Sequence, residues 1–162
     1  MSKIYYLAFA DEEFQDETVP KSKVMEIANQ PEPWCKSRDC KFEYTSDKSK
    51  AHAILHVWPD TKINESFPSH EGLSVTWFVT PPRIYWNLDN IQHPPKKYTG
   101  NKEQYLEYVI NHELGHAIFQ IKHHDHEDDR HPITNMCSIM QQQTKGTKMC
   151  VPGSTYYPGN FL

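Results

Sequence analysis

The chain has 162 residues, enough for one domain with a buried core. A net charge of −4 and a pI near 6.2, with Lys and Arg scattered along the chain, give no electrostatic case for binding nucleic acid or an anionic membrane. Twelve prolines, six glycines, nine tyrosines and four tryptophans describe an ordered chain with stiff loops and argue against disorder.

Residues 4–10, IYYLAFA, read as a first β-strand. The run is short and ends in acids, so it lacks the apolar core and cleavage site of a signal peptide. No run approaches the length of a membrane span. As written, the chain is expected to be soluble and cytoplasmic, although a processed, secreted form would read the same. Residues 19–30 predict a helix with Pro20 in its first turn and Val24, Ile27 and Ala28 on one side. Residues 41–46 alternate like a short strand. Residues 51–59 are β-rich, with Ala51, Ala53, Leu55 and Val57 on one face and His52 and His56 on the other. Residues 73–90 read as two strands broken by Pro81 and Pro82, a pair suited to an edge or a turn. Residues 91–101 form a loop.

Asn101 can cap the next helix, with Gln104 at the reciprocal capping position. The helical pattern from 102 to 121 is the longest in the chain. Tyr105, Leu106, Val109, Ile110, Leu114, Ala117, Ile118 and Ile121 make its apolar face so broad that the helix should be buried. A polar stretch follows, and then an irregular tail. Strands, a backing helix, a central helix and a coil-rich end specify a single α+β domain. Cys35 and Cys40 lie close together, and Cys137 and Cys150 lie late in the chain. Two disulfides are possible. With no export signal, reduced thiols are the expectation.

The central helix carries His112, Glu113 and His116 as His-Glu-Leu-Gly-His. Residues four apart share a helix side, about 6 Å apart along the axis. Two imidazoles there can converge on one zinc ion at about 2.0–2.1 Å. Glu113, on the flank of the pair, is placed to take a proton from a metal-activated water. The same spacing arises by chance on solvated helices. Two buried histidines and a buried glutamate, however, require partners, and one metal serves all three. His123 nearly returns to the same face but sits about 10.5 Å further along the axis. A third ligand therefore requires the chain to leave the helix and fold back.

HELGHA, a later His and the methionine of CSIMQQQ resemble the metzincin class of zinc peptidases. More closely, residues 83–150 resemble a small metzincin-like family of unknown function with a Met-Gln-Gln-Gln-Thr segment and a later cysteine and proline. Trp34 and KFEY extend the likeness weakly. The resemblance implies a compact metzincin-like domain: a small twisted sheet, a backing helix and an active-site helix, with the zinc helix closing residues 1–118. Residues 119–162 would then hold the third-ligand loop, the methionine turn and the tail. It implies Met140 as the methionine-turn residue, Met136 being the lesser candidate, and a tail tyrosine, Tyr156 or Tyr157, on the transition-state oxyanion.

The family pattern HExxHxxGxxH is not kept. Phe119 stands at the glycine position and Lys122 at the third-His position. An insertion of one residue makes Gln120 the turn and His123 the ligand, which is the preferred reading. An insertion of two makes it His124, and His126 is the outsider. Glu127, Asp128 or Asp129 is an alternative third ligand of another zinc-peptidase type. His70, His93 and His131 read as surface or structural residues. The implied function is zinc-dependent hydrolysis of a peptide or protein substrate by a monomer, with Glu113 as base. The substrate would align along a sheet edge, either residues 72–80 or residues 83–87, with Val75, Trp77 and Val79 packed or lining the cleft. A non-catalytic zinc-binding or interaction module is the alternative.

Overall fold

In the computed structural model, which describes residues 2–158, a five-stranded sheet sits against two helices. The strands are β1 (Lys3–Phe9), β2 (Cys40–Tyr44), β3 (Ala53–Trp58), β4 (Val75–Trp77) and β5 (Arg83–Asn87). Their spatial order is β2-β1-β3-β5-β4. The first four positions pair in parallel, and β4 closes one edge antiparallel to β5. The helices are α1 (Lys21–Ala28), the single turn α2 (Lys36–Arg38), α3 (Asp60–Ser66), α4 (Leu88–Gln92) and α5 (Lys102–Phe119). The α+β class expected from the sequence is the class found. No helix among the described residues is long and apolar enough to cross a membrane.

Strand alternation assigns each residue a face. Leu7, Phe9, Leu55, Val57, Ile84 and Trp86 point inward and pack with Val24, Ile27, Tyr105, Val109 and Leu114 of α1 and α5. Tyr85 and Val75 point outward, where Ile63 of α3 covers them. β3 is central and buried on both faces, so His56 does not lie on a wet face as the alternation alone suggests. It is held between Glu13 and Arg83. The Arg83 guanidinium donates to His56 Nε2 at 2.9 Å, and the Nδ1–H donates to Glu13 Oε1 at 3.0 Å.

Two tryptophans fasten α5. Trp34 Nε1–H donates to the Asn111 carbonyl and Trp86 Nε1–H to the Val109 carbonyl, each at 3.1 Å. The helix begins on the expected reciprocal cap. Asn101 Oδ1 accepts from the Gln104 N–H and Gln104 Oε1 accepts from the Asn101 N–H, each at 2.8 Å. Pro81 and Pro82 lie in the β4–β5 turn, which their lack of N–H donors favours. Two short helices carry little sequence periodicity. α3 starts after Pro59, and α4 starts where the Asn87 side chain accepts from the Asn90 N–H.

The cysteines correct the expected reduced state. Cys35 is bonded to Cys40 and Cys137 to Cys150, and no described cysteine is free. The second bond closes a 13-residue separation around Met140 in a region with almost no regular structure. Chain-entropy arguments give a loop of this size about 3 kcal/mol of stabilisation. Replacing Cys137 and Cys150 together by Ser should therefore lower unfolding free energy by about 3 kcal/mol in a denaturant titration.

Candidate metal centre

The fold-back begins at the end of α5. Gln120 adopts the left-handed conformation, φ 55° and ψ 37°, directly after the helix. Its N–H returns to the His116 carbonyl, and the Ile121 N–H returns to that of Gly115. Phe119 stays helical, so the turn sits one residue later than the glycine of the family pattern. The reversal carries His123 back over the helix and delivers the Ile121 carbonyl to His116 Nδ1 at 2.7 Å.

His112, His116 and His123 form a group that can hold a metal ion. Their ligand atoms all lie within 4.8 Å of one another. The tautomers follow from the partners, since a carbonyl only accepts. His112 Nδ1–H donates to the Ile139 carbonyl at 2.8 Å, and His116 Nδ1–H to that of Ile121. Both Nε2 atoms therefore carry lone pairs. His116 Nε2 and His123 Nε2 stand 3.1 Å apart. Two donors on one tetrahedral ion at about 2.0–2.1 Å stand about 3.3–3.4 Å apart, so this approach fits a shared cation.

Electrostatics agree with that fit. Burial and the neighbouring imidazoles hold His112 well below its ordinary value and His116 at about 4. Burial also lowers His123. At neutral pH the three rings are uncharged and no proton competes for them. Burial pushes the Glu113 carboxyl up to about 8, against a lowering hydrogen bond from Thr76. A cation beside such a carboxyl would restore its ionised form.

The pH dependence of the metal-free protein follows. Unfolded histidines titrate near 6.5, above their folded values, so their contribution is full above that pH. It is lost as pH falls from 6.5 toward 4. Unfolded Glu113 ionises near 4.5, while the folded carboxyl keeps its proton to about 8, so this residue lowers stability as pH rises between those values. Several histidines outweigh one carboxyl below pH 6.5, and above it only the carboxyl acts. Thermal melts in chelator should thus place maximum stability at about pH 6.5, with decline on both sides.

His124 takes a different path. Only 5% exposed, it directs Nδ1 to Ser138 Oγ at 3.2 Å, and its N–H donates to the Met140 carbonyl at 2.9 Å. It staples the loop that carries His123 to the Met140 segment. Asp125 adds a second staple, accepting from the Gln142 N–H at 2.9 Å and from Gln142 Nε2 at 2.8 Å. Glu127, Asp128 and Asp129 form a separate turn, with Asp129 capping the His126 N–H. None of the three belongs to the imidazole group.

Met140 is fully buried in a turn, where the Gln141 N–H returns to the Ser138 carbonyl at 2.9 Å. Its sulfur crowds the point where a Cβ on Gly115 would be, inside contact distance, and the Trp34 ring lies 2.7 Å from the same point. The glycine between the two helix histidines is therefore required by what packs beneath it. Gly115→Ala should cost about 1–3 kcal/mol despite its better helix propensity. Thermal unfolding of the variant checks this.

Thr76 and His70 carry no motif in the sequence. The Thr76 hydroxyl donates to Glu113 Oε2 at 3.4 Å. His70, exposed as the surface reading expects, also lines a cavity of about 150 Å³ with Glu113, His116 and His123. The tail tyrosines, in contrast, lie elsewhere. Tyr157 packs on Trp34 at 5.3 Å and Tyr156 on His131 at 5.0 Å, and neither lines this cavity. The sheet edge beside the cavity is β4. Residues 83–87 are β5, paired on both sides, and cannot accept a further strand.

The family described as a protein of unknown function, DUF3152, matches residues 13–151. The chain belongs to the DUF3152 family. The matched stretch contains all three clustered histidines, Glu113, Met140 and both disulfides of this DUF3152 protein. No curated protein and no solved structure matches it.

Proposed function

We propose that this DUF3152 protein is a zinc-dependent, metzincin-like peptidase. The observation that carries the reading is the convergence of three uncharged imidazoles beside a buried glutamate in a cavity that opens along a free sheet edge. Three nitrogen ligands with one open position are the donor set of catalytic zinc. His112, His116 and His123 would hold the ion. When bound, zinc supplies Lewis-acid polarisation and lowers the pKa of a water toward about 7.

The protein's own groups do the rest. Ile139 and Ile121 orient His112 and His116 through their carbonyls. Glu113 accepts the proton of the attacking water and passes it to the leaving amine. Thr76 holds one carboxylate oxygen and keeps the other turned to the cavity. The unpaired edge of β4 aligns an extended substrate by main-chain hydrogen bonds. Met140 and Trp34 make the floor rigid.

The test joins anomalous scattering at the zinc edge with hydrolysis of a quenched-fluorescence peptide library. Zinc on the three imidazoles, with chelator-sensitive cleavage, is expected. A metal-replete protein with no ion at that place would end the reading.

A further inference from the structure

The cleft is unequal on its two sides. Toward the start of β4, the space lined by Ser74, Tyr108, His112 and Glu113 is only about 40 Å³. Toward its end, a cavity of about 450 Å³ opens between the β4–β5 turn and the last turn of α5. Its apolar walls are Tyr5, Phe78, Val79, Pro82, Ala117 and Ile118; His52, Thr80 and Gln120 add polar groups, and no Asp, Glu, Lys or Arg lines it. Phe78 also lines the cavity that holds Glu113, His116 and His123, so the two spaces adjoin at its ring.

The rim is unusual for a protein surface. Phe78 and Val79, both on the cavity wall, are consecutive and 63% and 37% exposed. Contiguous exposed apolar side chains mark a binding surface more often than chance. Phe78 and Val79 follow directly on β4, the strand whose outer edge is open beside the imidazoles.

We propose that this larger cavity is the specificity subsite of the cleft and takes a bulky apolar side chain, Phe or Leu, of an extended peptide. The inference rests on the reading of β4 as the substrate-aligning edge. Ala117 is four residues beyond Glu113, or about 6 Å along the helix. An extended peptide covers that distance in about two residues. The recognised side chain therefore lies about two residues from the scissile bond. A strand added antiparallel, the commoner pairing, places it on the N-terminal side. The small space on the other side restricts the adjoining residue to Gly, Ala or Ser.

The test uses binding, so it does not depend on turnover. Fluorescein-labelled peptides of Ala and Gly, with or without a single Phe, are titrated by anisotropy into the full-length Glu113→Gln protein, with zinc and with chelator. The Phe peptide is expected to bind at least tenfold tighter in both conditions. Phe78→Ala and Val79→Asp, both at exposed positions, should remove that advantage while leaving the melting temperature unchanged. Equal binding of the two peptides, or an advantage that survives both substitutions, overturns the proposal. Cleavage products of the unsubstituted protein, sequenced by mass spectrometry, should carry Phe or Leu near their new C-terminus. A Phe advantage in binding without cleavage by the unsubstituted protein supports the subsite and counts against the peptidase reading alone.

Discussion

Under the proposed function, Glu113→Gln is expected to bind zinc as tightly as the unsubstituted protein and to hydrolyse peptides about 10²–10⁴-fold more slowly. The two halves of this result come from different atoms. The metal-competent group consists of imidazole nitrogens alone. The carboxylate accepts only a hydrogen bond from Thr76. An amide of equal size keeps that contact and the packing but cannot take a proton. Because burial raises the parent carboxyl to about 8 without metal, the neutral amide should also be tolerated by the fold. Zinc content by mass spectrometry and the single-turnover cleavage rate check the two halves. A variant that loses zinc would show that Glu113 supports the site structurally. Full activity in the variant would remove it as the base, whereas zinc binding with no hydrolysis by either protein would favour a module that keeps the metal for stability or partner binding.

The neighbouring histidines should separate as sharply. His123→Ala is expected to abolish stoichiometric zinc at micromolar protein while leaving the melting temperature of the metal-free form nearly unchanged. His123 is exposed on the turned-back loop, and its Nε2 faces His116. His124→Ala should do the reverse. It keeps the metal, but removes a buried bond to Ser138 and leaves a cavity, at a cost of about 1–3 kcal/mol. Isothermal titration with zinc and chemical denaturation of both variants decide the matter. Zinc retained in His123→Ala and lost in His124→Ala would reassign the third ligand.

The glutamine run shows why part of the site could not be read locally. Gln141, Gln142 and Gln143 look interchangeable in the sequence, yet each has its own distant partner. Gln141 Nε2 reaches Cys150 Sγ, Gln142 clasps Asp125, and Gln143 bridges the Ser138 and Gly153 carbonyls. The run ties the His123 loop, the Met140 turn and the tail together without regular structure. No periodicity announces such a role, because the bonds follow no repeat.

The backbone conformation at Gln120 is a second case. A non-glycine residue in the left-handed region costs about 1–2 kcal/mol, and Gln120 has no glycine to mark it, so only the resemblance with one inserted residue pointed to the turn there. It is tolerated because the reversal is held by the Gln120 and Ile121 N–H groups and by the His116 ring.

By itself, the order of residues determined the features that depend on near neighbours. These are the α5 helix with its Asn101–Gln104 cap, the shared side of His112 and His116, the main strands, and the proline-marked turn. Helix rise and strand alternation set them, and both act over a few residues. Tertiary structure alone decided which cluster histidine returns to the pair, that the cysteines are bonded, that His56 is buried, and which strand is the open edge. Each of these depends on groups brought together across the chain, as with His112 and the Ile139 carbonyl 27 residues later. Such contacts come from packing, which no local pattern encodes.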